Sequence, residues 1–364
     1  MNGPDLTPAE RATAQLRGLY ERFGYSKYQL GQFEEYSLYL KFKRFLNGGR
    51  ILSFTDLDGR LLALKPDVTL SIAKNARLTD GAEKVYYIEN VYRESKSAGT
   101  MQEISQMGLE YLGGPAGYAQ AEVLSLAERT LAAIGPEYVL SVSHMGFLTG
   151  LFEALGLEDA LARRVTDAIS MKSAHGVTEA AREAGVGRVG LDLLGELTGL
   201  AGGFADTVKR ARRLCLNVGM TQALDQLEET VRAADLEDGV RLDFTLQGDL
   251  EYYDGIIMAG YLAGLPRAVL SGGRYDGLMK KLGKDACAVG FALYLDDLKR
   301  LPRDRADLDA DTLVLAEDDD VAGLLACVRA LTEQGERVRV ERTKPEHLRF
   351  GRVVRYCEGR LDEC

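Results

Sequence analysis

Apolar positions recur along this chain with two periods, and the switches between them outline its elements. Thr7-Pro8-Ala9-Glu10 has the form of a helix start: a hydroxyl cap, proline at the first helical position and an acid three residues after the cap. The helical spacing runs to about Phe23, where Gly24 ends it. Residues 33–45 read as loop or helix, and Ile51–Phe54 and Leu61–Leu64 flank a hairpin turn at Asp56-Leu57-Asp58-Gly59. Asp67–Asn75 is predicted as a short helix, Lys84–Tyr92 and Ile104–Tyr111 as strands around the polar loop Glu94–Met101, and Ala119–Ile134 as a helix.

From Leu155 to about Val231 strand character almost vanishes, and Ala, Leu, Glu and Arg recur at helical spacing. Strand signal returns at Arg241–Leu246, Tyr252–Leu262 and Ala268–Ser271, followed by a predicted helix, Ala288–Leu298. Beyond a charged linker, Pro302–Asp311, the expected order is strand (Thr312–Ala316), helix (Val321–Gln334), strand (Arg337–Val340) and an ambiguous stretch, Leu348–Tyr356. An antiparallel sheet interrupted by a helical block fits these periods, so the expected class is α+β. The expected organisation is a core of residues 1–154 and 232–300, a helical insertion at 155–231 and a short C-terminal α/β segment at 301–364.

Composition narrows the function. The 364 residues carry 45 Lys and Arg against 55 Asp and Glu, a formal charge of -10, which disfavours nucleic acid as the main partner. Five scattered cysteines without CxxC spacing, beside only His144, His175 and His347, leave a zinc site or disulfide framework unsupported, and no metal or cofactor is expected. The N-terminus lacks a signal-peptide pattern and no stretch is apolar enough to span a bilayer, so a cytoplasmic location without membrane association is expected.

Candidate chemistry clusters on the predicted strands. Gln106 and Glu110 lie four apart and share one face with Gly108 between them, offering an amide and a carboxylate to an ammonium or imidazole group. Asp67 or Thr69 either caps the helix that follows Lys65-Pro66 or presents a polar group to a ligand. Arg93 either binds an anion or pairs with Glu94. Alternation would send one of Tyr252 and Tyr253 to the open face of the sheet, with Tyr253 the ligand-side candidate. SGGRYDGL, Ser271–Leu278, joins a strand to a glycine-rich bend and supplies Tyr275 as a wall or donor; it lacks the Lys-Ser/Thr pair of a phosphate loop. His144 has no nucleophile arranged with it and reads as structural, and Glu317–Asp320 reads as a helix cap rather than a metal site.

In this order the segments FTDLDGRLLALKPDVT, YYIENVYRE, QEISQMGLEYLG, QAEVLSLA, LEYYDG, SGGRYDGL and VGFALYLDDL resemble the catalytic domain of histidyl-tRNA synthetase over about residues 6–300. The resemblance implies a class II aminoacyl-tRNA synthetase-like antiparallel sheet flanked by helices. It also implies a histidine pocket at Asp67, Thr69, Gln106, Glu110, Tyr253 and Tyr275, with Arg93 matching the arginine that meets the ATP phosphate. The nucleotide side departs from the family. Gly248 and Asp297 fall where arginines are expected, Tyr294 where a glycine is expected and Gly31 where the first motif has proline. Adenylate formation develops charge that guanidinium groups must meet, and an acid at position 297 would repel ATP.

This combination resembles the ATP phosphoribosyltransferase regulatory subunits, paralogues of the synthetase. That resemblance implies no catalytic residues in this chain, assembly with a short-form catalytic subunit as homodimers within a hetero-octamer, and a part in histidine feedback. The alternatives are a residual histidine-activating enzyme and a degenerate paralogue that senses another amino acid.

Overall fold

The computed structural model describes residues 6–42, 50–95, 99–246, 252–301, 308–317, 319–357 and 359–363. In chain order the elements are α1 (Pro8–Arg22), β1 (Ser26–Lys27), β2 (Phe33–Glu35), α2 (Tyr36–Lys41), β3 (Ser53–Thr55), β4 (Leu61–Leu64), α3 (Thr69–Asn75), β5 (Glu83–Glu94), β6 (Met101–Leu112), α4 (Ala116–Ile134), β7 (Tyr138–His144) and α5 (Met145–Ala154). A helical stretch follows: α6 (Asp159–Ser170), α7 (Ala174–Glu183), α8 (Arg188–Thr198), the short β8 (Ala201–Gly203), α9 (Phe204–Arg212) and α10 (Val218–Ala233). Then come β9 (Val240–Asp243), β10 (Ile256–Leu262), β11 (Leu270–Arg274), α11 (Asp276–Lys281), β12 (Ala288–Tyr294), α12 (Leu295–Leu298), β13 (Ala310–Ala316), α13 (Val321–Glu333), β14 (Val338–Glu341), β15 (Phe350–Cys357) and β16 (Arg360–Glu363).

Two compact units result, one of Ala12–Arg300 and one of Met1–Arg11 with Leu301–Cys364. The larger unit is built on a nine-stranded sheet, ordered β1-β5-β6-β12-β11-β10-β7-β9-β8, antiparallel except where β1 meets β5 and β9 meets β7. Its back is covered by α4, ten of whose residues are buried, and by α1, whose Tyr20 donates to or accepts from Thr130 of α4 at 2.9 Å and packs edge-on against Phe291 of β12 at 6.2 Å. In the smaller unit the sheet β14-β13-β15-β16 packs α13 over Val314, Val354 and Tyr356. The acidic run 317–320 ends in a cap, as its pattern implied: Asp320 accepts the Gly323 N–H at 3.0 Å.

Several sequence expectations change, each for a physical reason. Ala288–Leu298 is mostly strand: β12 sits in the sheet centre, where pairing on both edges overrides the helical propensity of its alanine and leucines. Only Leu295–Leu298 is helical. The glycines of Ser271–Leu278 do not bend the chain; Gly272 and Gly273 are mid-strand in β11, and the turn comes at Tyr275. Tyr252 and Tyr253 precede β10 rather than heading it, so strand alternation does not apply, and both rings join one buried cluster. The region 33–45 begins with the strand β2 before α2, and β9 stops at Asp243. Gly248 lies outside the described residues, as do 96–98 of the polar loop and 302–307 of the linker.

One clamp fixes the short helix that borders the front of the sheet. Lys284, just after α11, donates to the last carbonyls of α3: Ala73 at 2.6 Å, Lys74 at 2.7 Å and Ala76 at 2.8 Å. A seven-residue helix is marginal alone, and a cation on its C-terminal carbonyls opposes fraying. Replacing the ammonium in K284M should lower the urea-unfolding free energy by about 1–3 kcal/mol, with the far-UV signal of the folded state retained.

Candidate functional site

The site lies on the front of the large sheet, and the pairing register shows why. Residues directly opposite one another share a face. Gly108 of β6 faces Tyr87 of β5 and Ala292 of β12, and Ala292 faces Ser271 of β11. Two residues along, Glu110 faces Gly290, and Gly290 faces Gly273. The front is therefore a floor of small residues with a few polar groups rising from it. These glycines are there for close approach: a Cβ at Gly290 would overlap the Glu110 carboxylate, and one at Gly108 would lie 2.5 Å from the Tyr87 hydroxyl.

Glu110 is the chemical centre. It is 2 % exposed. Thr69 Oγ1 donates to Oε1 and the Tyr275 hydroxyl to Oε2, both at 2.6 Å. Thr69 opens α3 and Tyr275 is the residue before α11, so two short helices deliver one hydroxyl each to the same carboxylate. Among the described residues no cationic side chain pairs with it. Burial pushes the Glu110 pKa up to about 8; the two hydroxyl donors pull it down and nearby Asp67 adds to the rise. Burial wins because two neutral donors do not replace the hydration of a charge. The same burial raises the Tyr275, Tyr252 and Tyr87 hydroxyls well above the usual tyrosine value.

The other expected residues fall around this centre. Gln106 is 2 % exposed, and its Nε2 has no hydrogen-bond partner. Tyr253 lies against Gly273 and stacks edge-on with Tyr252 at 4.5 Å, while Tyr252 reaches Tyr275 at 5.8 Å. Asp67 combines two roles: Oδ1 accepts the Leu70 N–H at 2.8 Å as a cap, and Oδ2 pairs with Arg93 at 3.3 Å. Arg93 also donates to the Pro66 carbonyl at 2.7 Å. Its partner is thus Asp67, and Glu94 turns instead to Arg50. His144 is a cap: its Nδ1 accepts the Gly146 N–H at 3.1 Å, and burial lowers its pKa to about 4.

Three side-chain pairings escaped the sequence reading. Lys65 is wholly buried and pairs with Glu89, which also accepts the Leu30 N–H at 3.1 Å. Glu89 lies directly across from Gln106, so a buried ion pair borders the amide. Tyr294, across from Gln106 on the other side, shares a hydrogen bond of 2.9 Å with Ser271. The pairs Lys65–Glu89 and Tyr294–Ser271 were hidden because each joins segments far apart in sequence. Asp297 is buried and accepts from Arg267 Nε at 3.0 Å to both oxygens and from Nη2 at 2.7 Å. Its charge is therefore held by a guanidinium, which corrects the expectation of a free carboxylate repelling phosphate. It still supplies no donor at that position.

With this geometry in hand, the chain was compared with known proteins. The sequence model of the histidyl-tRNA synthetase family matches residues 2–298. The ATP phosphoribosyltransferase regulatory subunit of Symbiobacterium thermophilum is 31 % identical over 324 residues, covering 84 % of this chain and 81 % of the relative. The chain belongs to the ATP phosphoribosyltransferase regulatory subunits. The regulatory subunit of Acetivibrio thermocellus is 28 % identical over 340 residues, covering 90 % of this chain and 81 % of its own. Among solved structures, an ATP phosphoribosyltransferase regulatory subunit/histidyl-tRNA synthetase from Bacillus halodurans superposes with a TM-score of 0.75 at 24 % identity, covering 94 % of this chain and 91 % of that one. A chain of the ATP phosphoribosyl transferase complex from Thermotoga maritima gives 0.61 at 18 %, covering 79 % and 97 %. These two establish the class II synthetase-like fold. Among the described residues no helix is long and apolar enough to cross a membrane, and no group of three or more His, Cys, Asp or Glu is arranged to hold a metal ion.

The buried carboxyl gives this regulatory subunit a measurable pH signature. The folded-state pKa of Glu110 is raised above its unfolded value, so between about pH 4.5 and 8 the unfolded chain releases a proton that the folded chain keeps. Stability should fall with rising pH across that window and level off above it. E110Q, which cannot ionise, should lack this component and exceed the wild type at pH 9 by on the order of 3 kcal/mol, with little difference at pH 4. Urea unfolding of both proteins from pH 4 to 9 checks it.

Proposed function

We propose that this chain is a non-catalytic regulatory subunit that assembles with and activates short-form ATP phosphoribosyltransferase in the first step of histidine biosynthesis, and takes part in histidine feedback. The carrying observation is a division of chemistry on one sheet face. At its inner end Glu110, a buried carboxyl with no cationic partner among the described residues, sits with Thr69 and Tyr275, and four residues along β6 the Gln106 amide has an open donor. Those groups suit free histidine, whose basic ring and ammonium complement a carboxyl and whose carboxylate complements an amide N–H. At the outer end the position expected to clamp phosphate is Asp297, already engaged by Arg267. Recognition is retained there while transition-state stabilisation is not. Asp67 and Arg93 satisfy each other at the rim, so a ligand that uses either must exchange with that pair.

The relatives named above are regulatory subunits of that enzyme, which supports the same partner here. We further assign a homodimer within a hetero-octamer. The sheet β2-β4-β3 supports it: Phe33 and Phe54 stack edge-on at 4.9 Å on a face that leaves both, with Leu52, substantially exposed. Apolar rings held together in water mark a surface that a partner covers. In domain terms we assign residues 1–154 and 232–300 to the pocket-bearing core, 155–231 to a helical insertion and 301–364 to a short C-terminal segment, with Met1–Arg11 grouping with that segment by contacts. The chain is taken to act in the cytoplasm.

Mixing the purified chain with a short-form catalytic subunit should give a complex larger than either component on a sizing column and raise phosphoribosyltransferase turnover about tenfold or more. No complex, or a complex with unchanged turnover, contradicts the assignment. Histidine-dependent pyrophosphate exchange into ATP would instead favour a residual activating enzyme.

A further inference from the structure

The outer end of the pocket is closed by one side chain. Tyr294 is the last residue of β12, across from Gln106, on the face shared by Gly108, Ala292 and Ser271. Its hydroxyl meets the Ser271 Oγ at 2.9 Å, although Ser271 pairs across the strands with Ala292, two residues back. The phenol ring must therefore lie diagonally over β12 and β11, across the small-residue floor, since a diagonal cross-strand neighbour is about 7–8 Å away and a tyrosine spans that distance. The hydrogen bond pins the ring at its far end. At this level of the sheet the remaining groups are the Gln106 amide and the Lys65–Glu89 pair. A ligand seated on Glu110 and extended along β12, beside Gln106, thus ends against the Tyr294 ring.

We propose that Tyr294, pinned to Ser271, is the specificity-determining residue that limits this pocket to a free amino acid and excludes amino acids extended at the backbone end by an aromatic or other planar group. This inference rests on the reading of the pocket as an amino-acid site. Without the phenol ring, Ala292 and Ser271 are left as a sparsely filled slot, bounded on the β6 side by the Tyr87 ring over Gly108, that a planar group of similar size fills, with the freed Ser271 hydroxyl as its polar contact. A void of this kind that lacks contact atoms on one side gains affinity for an aromatic occupant.

The test is calorimetric titration of the full chain, as wild type, Y294A and Y294L, with three probes: histidine, histidine benzyl ester and indole. Y294A should bind the ester at least about tenfold more tightly than the wild type does, and its ester-to-histidine affinity ratio should rise at least about tenfold. Y294L should shift the ester in the same direction by less, which keeps the test decisive if Y294A does not fold. Indole reads the slot without any amino-acid group and should gain about tenfold in Y294A. A wild type that binds the ester as tightly as histidine overturns the proposal, as does an ester-to-histidine ratio unchanged in both variants. If histidine fails to bind the wild type, the amino-acid reading fails by itself. The indole result then decides the role of Tyr294: a gain in the variants upholds the closed slot, and equal affinity overturns it.

Discussion

A carboxyl buried without a cationic partner among the described residues governs this structure. Taking Glu110 out of water is unfavourable, and two hydroxyls at 2.6 Å only partly offset the loss. Much of the surrounding architecture serves to keep it there. Gly290 leaves room for the side chain, α3 and α11 bring Thr69 and Tyr275 to its two oxygens, and Lys284 holds the end of α3 in place. The tyrosines Tyr87, Tyr252 and Tyr275, packed with the aliphatic cluster around Val68, Leu70 and Ile72, exclude water from the same volume. A protein retains such an arrangement against its cost to stability where a ligand supplies the missing charge.

The outer half of the same face shows the converse, because among the described residues its charges are matched. Arg93 is taken by Asp67, Asp297 by Arg267 and Lys65 by Glu89, while Tyr294 and Ser271 satisfy each other. A site whose charged groups are already paired, with one amide N–H left open at Gln106, has little to offer a developing phosphate charge. The proposed binding without chemistry accords with the contrast between an unpaired inner carboxyl and the paired outer charges. Regulation requires no more than this, since a ligand shifts an assembly equilibrium only by its difference in affinity for the two states.

Much of this was legible in the sequence, and the boundary between what was and was not is physical. The spacing of Gln106, Gly108 and Glu110 fixes a shared face because strand geometry has period two, whatever the fold. Thr69 and Tyr275 could be named from the family resemblance, but their convergence on one carboxylate depends on the order of nine strands. The strand β12 was misread because alanine and leucine favour a helix locally, whereas central strands are decided by pairing on both edges. Tyr294 was noted as standing in place of a glycine, but that error concealed its position on the front of the sheet, which follows only if the segment is a strand. Asp297 was recognised as a loss of a donor, but its neutralising partner, Arg267, lies thirty residues away and leaves no local signature.

The central claim is that Glu110 is a ligand-reading carboxyl rather than a structural one. Its most direct test is calorimetric titration of the full chain with histidine at pH 7.5, for the wild type and for E110Q. The account predicts saturable binding to the wild type and an affinity at least about tenfold weaker in E110Q, with the variant folded throughout. Absence of saturable binding to the wild type, or equal affinity in the two proteins, would contradict it.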